Sequence, residues 1–256
     1  MRTNAPAATR ALHALRILAA AAGPMTAASL SRQLGTPRSS TYHLLATMAD
    51  EGFVVHYPEE EKWGLGLAVF EVGSAYLRHD PMERLARPLL AQLIGRFESV
   101  PLVAHLAILR GDEVLYLLKE SGRQPLTLVT DVGVRLPASL TASGRAILAH
   151  LPVAQLRASL PSSARLIDRT GVGPTTVSQL RELLNAERKS GFSEEDGFIT
   201  EGVSSVAVAV MDQLDHPAAA IGLSFRSDSA DRDDRELFVN ALSRTATQLS
   251  RRIRGN

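Results

Sequence analysis

Residues 26–52 constrain the fold of this chain more than any other segment. Their sequence, TAASLSRQLGTPRSSTYHLLATMADEG, has the spacing of two short helices joined by a tight turn. Thr26 can cap the first helix, and Gly35 is suited to end it. Leu30 and Leu34 are four residues apart and therefore share one face of that helix. The pattern predicts a helix-turn-helix.

The second helix of the pair is predicted to begin at Pro37, with Thr36 as its cap. Its apolar stripe comprises Leu44, Leu45 and Met48. The side chains near its N-terminal end, mostly on the other side, are Arg38, Ser39, Ser40, Tyr42 and His43. In a helix-turn-helix, such positions contact base edges and phosphates. We therefore expect this helix to bind DNA; the alternative is a solvated helix pair without a nucleic-acid partner.

Positive charge is concentrated at the N-terminal end of the chain. Residues 1–47 contain no acidic residue, and the first acid is Asp50. The arginines of this stretch are Arg2, Arg10, Arg16, Arg32 and Arg38. The whole chain has a formal net charge of only +1 at pH 7. A local basic patch attracts phosphate whatever the total charge, which agrees with a DNA partner. Taken alone, the same distribution also fits a basic tail without a partner.

Composition and motif searches exclude several classes of protein. The chain has no cysteine, which excludes disulfides, Cys-ligated zinc and thiol chemistry. Its 7 histidines are scattered, without an HExxH motif, and GxSxG and phosphate-binding glycine motifs are absent. We expect no catalytic residues, no metal site and no cofactor. No apolar run approaches the roughly 18 residues that span a bilayer, and we find no signal peptide. We therefore expect a cytoplasmic protein without membrane contact.

Elements on both sides of the helix-turn-helix complete a winged domain. Residues 9–22 have the apolar spacing of a preceding helix. Residues 53–55 and 62–65 are predicted to form two strands of a wing, joined by a turn at 58–61. The acidic sequence PEEE in that turn repels phosphate, so we expect the wing to bind DNA weakly or to point away from it. The predicted winged helix-turn-helix domain spans residues 5–66.

Residues 67–80 are predicted to link this domain to the rest of the chain. They contain an apolar-rich helix that Asp80 and Pro81 end. This linker helix is either a lever and dimer surface or an ordinary core helix, because spacing alone does not distinguish the two.

The third predicted region, residues 81–254, alternates between strands and helices. The predicted strands are 102–109, 113–120, 126–130, 203–211 and 218–225. The predicted helices are 83–97, 143–151 with Thr141 as its cap, 176–189 and 231–252. An antiparallel sheet covered by helices commonly holds a small ligand. The predicted fold class is therefore α+β.

Four separate motifs connect the chain with a known family. They are SLSRQLGTPRSSTYHLLATMADEGFV, KWGLG, LPASLTASGRAILAHLP and GFSEEDGFITEGVSSVAVAV. By their order and spacing, the chain resembles the IclR family of bacterial transcription regulators along nearly its whole length. The resemblance implies a winged helix-turn-helix followed by a GAF-like effector-binding domain. It also implies a dimer or tetramer that binds double-stranded operator DNA and responds to a small molecule.

The resemblance implies which residues bind DNA. The recognition-helix positions of the family fall on Arg38, Ser39, Ser40, Thr41, Tyr42 and His43. His43 departs from the family, which commonly has arginine just before the paired leucines. Because histidine is smaller and mostly neutral at pH 7, the operator sequence of relatives does not transfer to this chain.

The resemblance also implies an effector pocket in the C-terminal domain. The backbone N–H groups of Ala142 and Ser143 are expected to face a ligand carboxylate, in agreement with the anion preference of a helix start. The expected polar lining comprises Glu195, Ser205, Gly222 and Ser224, and the expected apolar lining comprises Leu128 and Leu136. The chain departs from the family at two of these positions. Glu195 stands where several relatives have Asp, and Ser205 stands where a relative has Cys.

The chemistry of these residues leaves alternatives open. Ser205 and Ser224 lie in otherwise apolar predicted strands, where an unpaired hydroxyl is unfavourable. Each hydroxyl therefore either faces a ligand or bonds to backbone. Glu195, within GFSEEDG, is either a pocket acid or a solvated loop acid.

The sequence thus predicts a DNA-binding transcription regulator, specifically a repressor, controlled by a small organic or aromatic acid. Two alternatives belong to other classes. In the first, the protein binds DNA without any ligand and its C-terminal domain only oligomerises. In the second, the protein is an enzyme that acts on a small carboxylate.

Overall fold

The chain forms two compact units, residues 1–80 and 81–256, and the fold is α+β as predicted. The structure is a computed structural model that describes residues 5–21, 23–79, 81–124, 126–160 and 166–255. Within these residues, no helix combines the length and the apolar character that crossing a bilayer requires.

The first unit is a winged helix-turn-helix with one further helix. Its helices are α1 (Pro6–Ala20), α2 (Ala27–Leu34), α3 (Arg38–Asp50) and α4 (Leu67–His79). Its strands are β1 (Met25–Thr26), β2 (Val54–Tyr57) and β3 (Lys62–Leu65). The strands form an antiparallel sheet in the order β1-β3-β2. The sequence did not predict β1, whose Met25 pairs with Trp63 and ties the start of α2 to the wing.

The core of this unit joins the helices to the wing sheet. Leu30 and Leu45 are fully buried in one apolar cluster, which also contains Trp63. The predicted limits of α2 are confirmed. The Thr26 hydroxyl accepts the backbone N–H of Ser29 at 3.2 Å, and Gly35 has a left-handed φ of 63°.

The predicted start of the second helix is wrong by one residue. α3 begins at Arg38, and Pro37 flanks it with an extended ψ of 147°. Thr36 does not cap a helix amide, because its hydroxyl lies 2.9 Å from the Thr41 hydroxyl and bonds to it instead. The turn is therefore held by side chains that face inward.

The second unit is a six-stranded antiparallel sheet with helices on both faces. The strand order is β6-β5-β4-β9-β8-β7. The strands are β4 (Leu102–Arg110), β5 (Glu113–Ser121), β6 (Arg135–Pro137), β7 (Ser193–Asp196), β8 (Val203–Met211) and β9 (Pro217–Arg226). The helices are α5 (Pro81–Ile94), α6 (Ala142–Leu148), α7 (Val153–Ser159), α8 (Val177–Ser190) and α9 (Arg232–Ile253).

The two faces of the sheet differ in side-chain size. Along β9, Ile221 and Phe225 belong to the large apolar core that α5 and α9 cover. The alternate residues Ala220 and Gly222 face α6, which also packs on Ala207 of β8. Small side chains thus let α6 approach the sheet closely and determine where a cavity can form beneath it.

One predicted strand is absent, and other elements were not predicted. Residues 126–130 are irregular, because the edge of β5 is occupied by β6, where Val114 pairs with Leu136. Thr130 hydrogen-bonds instead to His105, with 3.2 Å between Oγ1 and Nε2. β6, β7 and α7 are the additional elements.

A fully buried arginine on α6 holds several segments of the second unit together. Arg145 is 0% exposed, and its Nε donates to Glu187 Oε1 of α8 at 2.8 Å. Its Nη1 donates to the carbonyl of Leu140 at 3.1 Å, and its Nη2 donates to the carbonyl of Glu194. The guanidinium also lies over the Phe198 ring, 4.9 Å from the centroid. A buried charge is stable only when it is paired and hydrogen-bonded in this way.

Replacing Arg145 should therefore destabilise the second unit. We expect Arg145→Ala to lower its free energy of unfolding by about 3–5 kcal/mol, because Glu187 is left buried without its cation. Urea unfolding followed by far-UV circular dichroism measures this change. The control Arg226→Ala removes an exposed pair with Asp228 and should leave the transition nearly unchanged. Equal transitions in the two variants would contradict the structural role of Arg145.

Candidate functional site

The first candidate site is the exposed face of α3. Most of the predicted DNA-binding side chains are exposed on it: Arg38, Ser39, Ser40, Tyr42 and His43. Tyr42 is 52% exposed although it is aromatic. On the opposite face, Leu45 and Met48 enter the core at one-turn spacing. The helix therefore presents a polar, cationic surface at its N-terminal end.

Thr41 does not belong to this surface. Its burial differs from the prediction that Thr41 contacts DNA. Its side chain is 0% exposed, and its hydroxyl donates to the Pro37 carbonyl at 3.1 Å while pairing with the Thr36 hydroxyl. Ser31 extends this network by donating to the Thr36 carbonyl at 2.6 Å. The three hydroxyls fix the turn between α2 and α3. They recur every five residues along the chain, and this spacing was the feature of the sequence that could have indicated their contact.

The helices α1, α2 and α3 of the first unit carry exposed positive charge. The exposed arginines are Arg10, Arg16, Arg32 and Arg38, and none of them forms an ion pair with any residue that the structure describes. Arg2 lies outside the described residues. At the wing tip, exposed Glu59 and Glu60 accompany Lys62, whose Nζ lies 2.8 Å from Glu60 Oε2. The wing tip is therefore acidic, as the sequence indicated.

The second candidate site is a cavity beneath α6 in the second unit. The structure brings all eight predicted effector residues to its lining: Leu128, Leu136, Ala142, Ser143, Glu195, Ser205, Gly222 and Ser224. The cavity has a volume of about 20 Å³, and the wider space of about 440 Å³ around it includes open solvent. The cavity is thus narrow in this conformation.

Three polar residues form a row across one side of the cavity. Glu195, Ser205 and Ser224 pair directly across β7, β8 and β9. Ser205 Oγ donates to Glu195 Oε1 at 2.9 Å and lies 3.0 Å from Ser224 Oγ. Both serines therefore bond to side chains, which differs from the backbone bonding considered as an alternative. Glu195 is 4% exposed, which contradicts the alternative of a solvated loop acid.

Burial makes Glu195 an unusual carboxyl group. Desolvation raises its pKa to about 7, although hydrogen bonds from Ser205 and from the Phe198 backbone N–H act in the opposite direction. The group therefore changes charge near neutral pH and can either accept or donate a hydrogen bond there.

α6 begins directly above the row. Ala142 and Ser143 are its first two residues, and their backbone N–H groups have no partner within a helix. The next amide, that of Gly144, is already bound by the Thr141 hydroxyl at 3.0 Å. A Cβ added at Gly222 would lie 2.9 Å from Ser143 Oγ, so glycine is needed at this approach of α6 to β9.

The structure adds polar residues to the lining that sequence reasoning missed. His105, Tyr116, Thr130 and Thr141 also line the cavity. The rings of His105 and Tyr116 are 5.2 Å apart between centroids. Burial, followed by the charge of Glu195, raises the pKa of Tyr116 and keeps it protonated. His105 interrupts the apolar strand LVAHLAIL, which is the same signal that identified the two serines.

Comparison with known proteins identifies the family. The model described as "Bacterial transcriptional regulator IclR C-terminal" matches residues 74–251, and the model described as "IclR helix-turn-helix domain" matches residues 7–58. The chain belongs to the IclR family. The resemblance expected from its sequence motifs is confirmed. Transcriptional repressor IclR of Escherichia coli (strain K12) is 30% identical over 84% of this chain and 78% of that protein.

Solved structures agree with the fold of this IclR-family chain. An IclR transcriptional regulator from Alicyclobacillus acidocaldarius superposes with a TM-score of 0.85 at 23% identity, covering 98% of this chain and 100% of that one. An IclR homologue from Microbacterium hydrocarbonoxydans, complexed with 4-hydroxybenzoate, superposes with a TM-score of 0.78 at 24% identity. The match covers 98% of this chain and 100% of that one. The curated relatives are transcriptional regulators and not enzymes, and this chain is accordingly a DNA-binding transcriptional regulator.

Because Thr41 is buried and Ser40 is exposed, substitutions at the two positions should affect stability to different extents. Thr41→Val should lower the free energy of unfolding of the first unit by about 1–3 kcal/mol, because it leaves buried partners without a hydrogen bond. Ser40→Ala should change it by less than about 0.5 kcal/mol, because the residue is exposed. Fluorescence of Trp63, the single tryptophan, follows unfolding of this unit in urea. A larger effect for Ser40→Ala would contradict this arrangement.

Proposed function

We propose that the protein is a repressor whose binding to operator DNA is controlled by a small organic or aromatic acid. Residues 5–66 bind DNA, residues 67–80 link the domains, and residues 81–254 bind the effector. The observation that carries the proposal is the exposed polar face of α3 on an IclR-family helix-turn-helix. The family relationship to a named repressor supports the direction of regulation.

In this proposal, the N-terminal end of α3 enters the major groove. Arg38, Ser39, Ser40, Tyr42 and His43 contact bases and phosphates, whereas buried Thr41 supports the turn. The exposed arginines of α1 and α2 supply the sequence-independent attraction to phosphate.

Self-association is proposed to use α4. This helix exposes Leu67 at 70%, Phe70 at 70% and Val72 at 59%, which is unusual for apolar side chains on one short helix. A second copy of the chain, joined as a dimer or within a tetramer, can cover these residues. Two copies then present two recognition helices to half-sites about one helical turn apart.

The effector part of the proposal rests on the cavity beneath α6. Leu128 and Leu136 provide apolar surface, the α6 amides of Ala142 and Ser143 provide donors, and the row from Glu195 provides polar contacts. α6 has only seven residues, so we assign the attraction to its free amides and not to a helix dipole. That an IclR homologue of the same fold binds 4-hydroxybenzoate supports an acid as the ligand.

The narrow cavity indicates that binding is coupled to movement of its walls. Leu128, Val129 and Thr130 lie in an irregular segment, and so does Thr200 on the other side. Displacing such segments opens the cavity more readily than displacing a strand. An effector can regulate DNA binding only by binding more tightly to one arrangement of the protein than to another.

The same narrowness favours one alternative, a regulator without ligand whose C-terminal domain only oligomerises. Thermal unfolding distinguishes the two. A small acid that binds only the native state raises the midpoint of the second unit, whereas none does so under the alternative.

The first experiment is fluorescence anisotropy on the intergenic DNA upstream of the protein's own gene. We expect tight, salt-dependent binding to this duplex and weak binding to a scrambled one. Replacing Ser40 and His43 together with alanine should weaken specific binding roughly tenfold, because base contacts are lost. The control His13→Ala alters an exposed histidine of α1 and should have a smaller effect. Unchanged specific affinity in the double variant, at fixed salt, would refute the assignment of α3.

Effector binding should weaken as pH rises through about 7. Glu195 is neutral below its raised pKa of about 7 and becomes negative above it, where it repels an acid anion. We expect the affinity for 4-hydroxybenzoate, measured by calorimetry, to fall about tenfold between about pH 6 and about pH 8. Glu195→Gln should flatten this profile, and the exposed control Glu236→Gln should retain it. A pH dependence that persists in Glu195→Gln would exclude Glu195 as its source.

A further inference from the structure

A groove between α7 and α8 lies on the second unit, separate from the effector cavity. This α7–α8 groove has a volume of about 200 Å³ and shares no lining residue with the cavity beneath α6. Four leucines of one core cluster form its apolar floor: Leu148, Leu151, Leu156 and Leu184. Val153, at the start of α7, also lines it and is 61% exposed although it is apolar. The groove therefore offers apolar surface to a partner.

Three arginines line the same groove. Arg157 is on α7, and Arg181 and Arg188 are on α8. All three are exposed, and none has an ion pair or a side-chain hydrogen bond to any residue that the structure describes. Arg181 and Arg188 are about two helical turns apart, which places them on one side of α8 with about 10 Å between their backbones. Both helices that line the groove thus carry cations.

These cations have no acidic neighbour in the sequence that could neutralise them. Side chains on a helix contact those three and four positions away. None of the three arginines has Asp or Glu at such a position. Residues 132–167, which contain α6 and α7, have no acidic residue at all. On α8, Glu187 is buried against Arg145, and Glu182 does not line the groove. The three like charges therefore lack a local counter-charge.

Helix stability accounts for two of these arginines but not for the third. Arg157 and Arg188 lie in the last turns of α7 and α8, where the helix dipole favours a cation. Arg181 is the fifth residue of α8, beyond the first turn and far from the last. The dipole gives a cation no stabilisation there. An anionic partner in the groove stabilises all three, because it relieves their mutual repulsion.

The shape and the chemistry of the groove favour one class of partner. A groove of this volume admits a few side chains and not a nucleic-acid duplex, and binding of phosphates requires no apolar floor. Guanidinium groups bind carboxylates through two parallel hydrogen bonds. An amphipathic helix can place apolar side chains on the floor while carboxylates on its flanks reach the arginines. Acidic residues two turns apart on such a helix match the spacing of Arg181 and Arg188.

We propose that the α7–α8 groove binds an acidic amphipathic helix of a partner protein. Arg157 contacts this helix from α7, and Arg181 and Arg188 contact it from α8, while Val153 extends the apolar contact. The inference goes beyond the proposed control of DNA binding by an effector, since the groove and the effector cavity have separate linings. A regulator bound to DNA then has a further surface through which it contacts another protein.

Anisotropy of a fluorescently labelled peptide, titrated with the full chain, tests the proposal. The probe is a synthetic peptide of Glu-Leu-Leu-Glu repeats, which has an apolar stripe and acidic flanks as a helix. We expect micromolar binding to the wild-type chain. A triple variant should weaken it about tenfold, because three exposed ion pairs are lost: Arg157→Gln, Arg181→Gln and Arg188→Gln. The same peptide with glutamine in place of every glutamate should bind wild type with a similar loss.

A matched control separates the groove from overall charge. It replaces three exposed arginines of the second unit that do not line the groove: Arg96→Gln, Arg110→Gln and Arg244→Gln. Both triple variants have the same net charge, so long-range attraction of the acidic peptide falls equally in each. We expect the control to lose less than about twofold in peptide affinity. Equal losses in the two triple variants overturn the proposal.

Two further measurements test the apolar contact and the class of partner. Val153→Asp places a carboxylate at the groove and should weaken the acidic peptide about tenfold; an unchanged affinity contradicts the proposed seat of the helix. Both triple variants should bind the intergenic duplex equally. A larger loss of duplex affinity in the groove variant shows that its arginines contact DNA, and overturns the proposal. Failure of wild type to bind the peptide at about 1 mM also overturns it, and leaves the proposed operator and effector functions standing.

Discussion

The second unit depends on one buried cation. Arg145 has no access to water, and its hydrogen bonds reach α8, the loop before α6 and the backbone of β7. Without this cation, each of those segments leaves an acceptor unpaired. Because Arg145 is part of α6, the same bonds fix the height of that helix above the sheet. The roof of the cavity and the edge strand that carries Glu195 are thus held by a single side chain.

Side-chain size on the sheet determines the rest of the site. On β9, large apolar residues face the core beneath α9, while Ala220 and Gly222 face α6. α6 can therefore approach the sheet until Ser143 meets the glycine. Where the small residues end, the row of Glu195 and its two serines begins, and the cavity opens there. Because successive side chains of a strand point to opposite faces of the sheet, the same strands supply the polar lining of the cavity on one face and the apolar core on the other.

Several features that depend on nearby residues could be predicted from the sequence, although the cap expected at Thr36 was wrong. The cap at Thr26 and the stop at Gly35 involve only neighbouring positions, and both were found. The effector residues came from motifs, and they do lie together around one cavity. Features that depend on distant partners were missed. No strand forms at 126–130, because β6 pairs with the edge of β5 instead. Thr41 is buried because its hydroxyl bonds to that of Thr36 inside the turn. The partner of His105 is 25 residues away, which no local pattern reveals.

The exposed apolar residues of α4 connect the stability of this protein with its concentration. Under the proposed self-association through α4, a second copy covers this surface, and the free energy gained by covering it stabilises the folded chain and the assembly together. Under that linkage, stability increases with the concentration of the chain itself. If the proposed assembly forms, a cell that makes few copies would hold a less stable regulator than a cell that makes many. In that case, expression level would change the stability of the protein independently of the proposed effector.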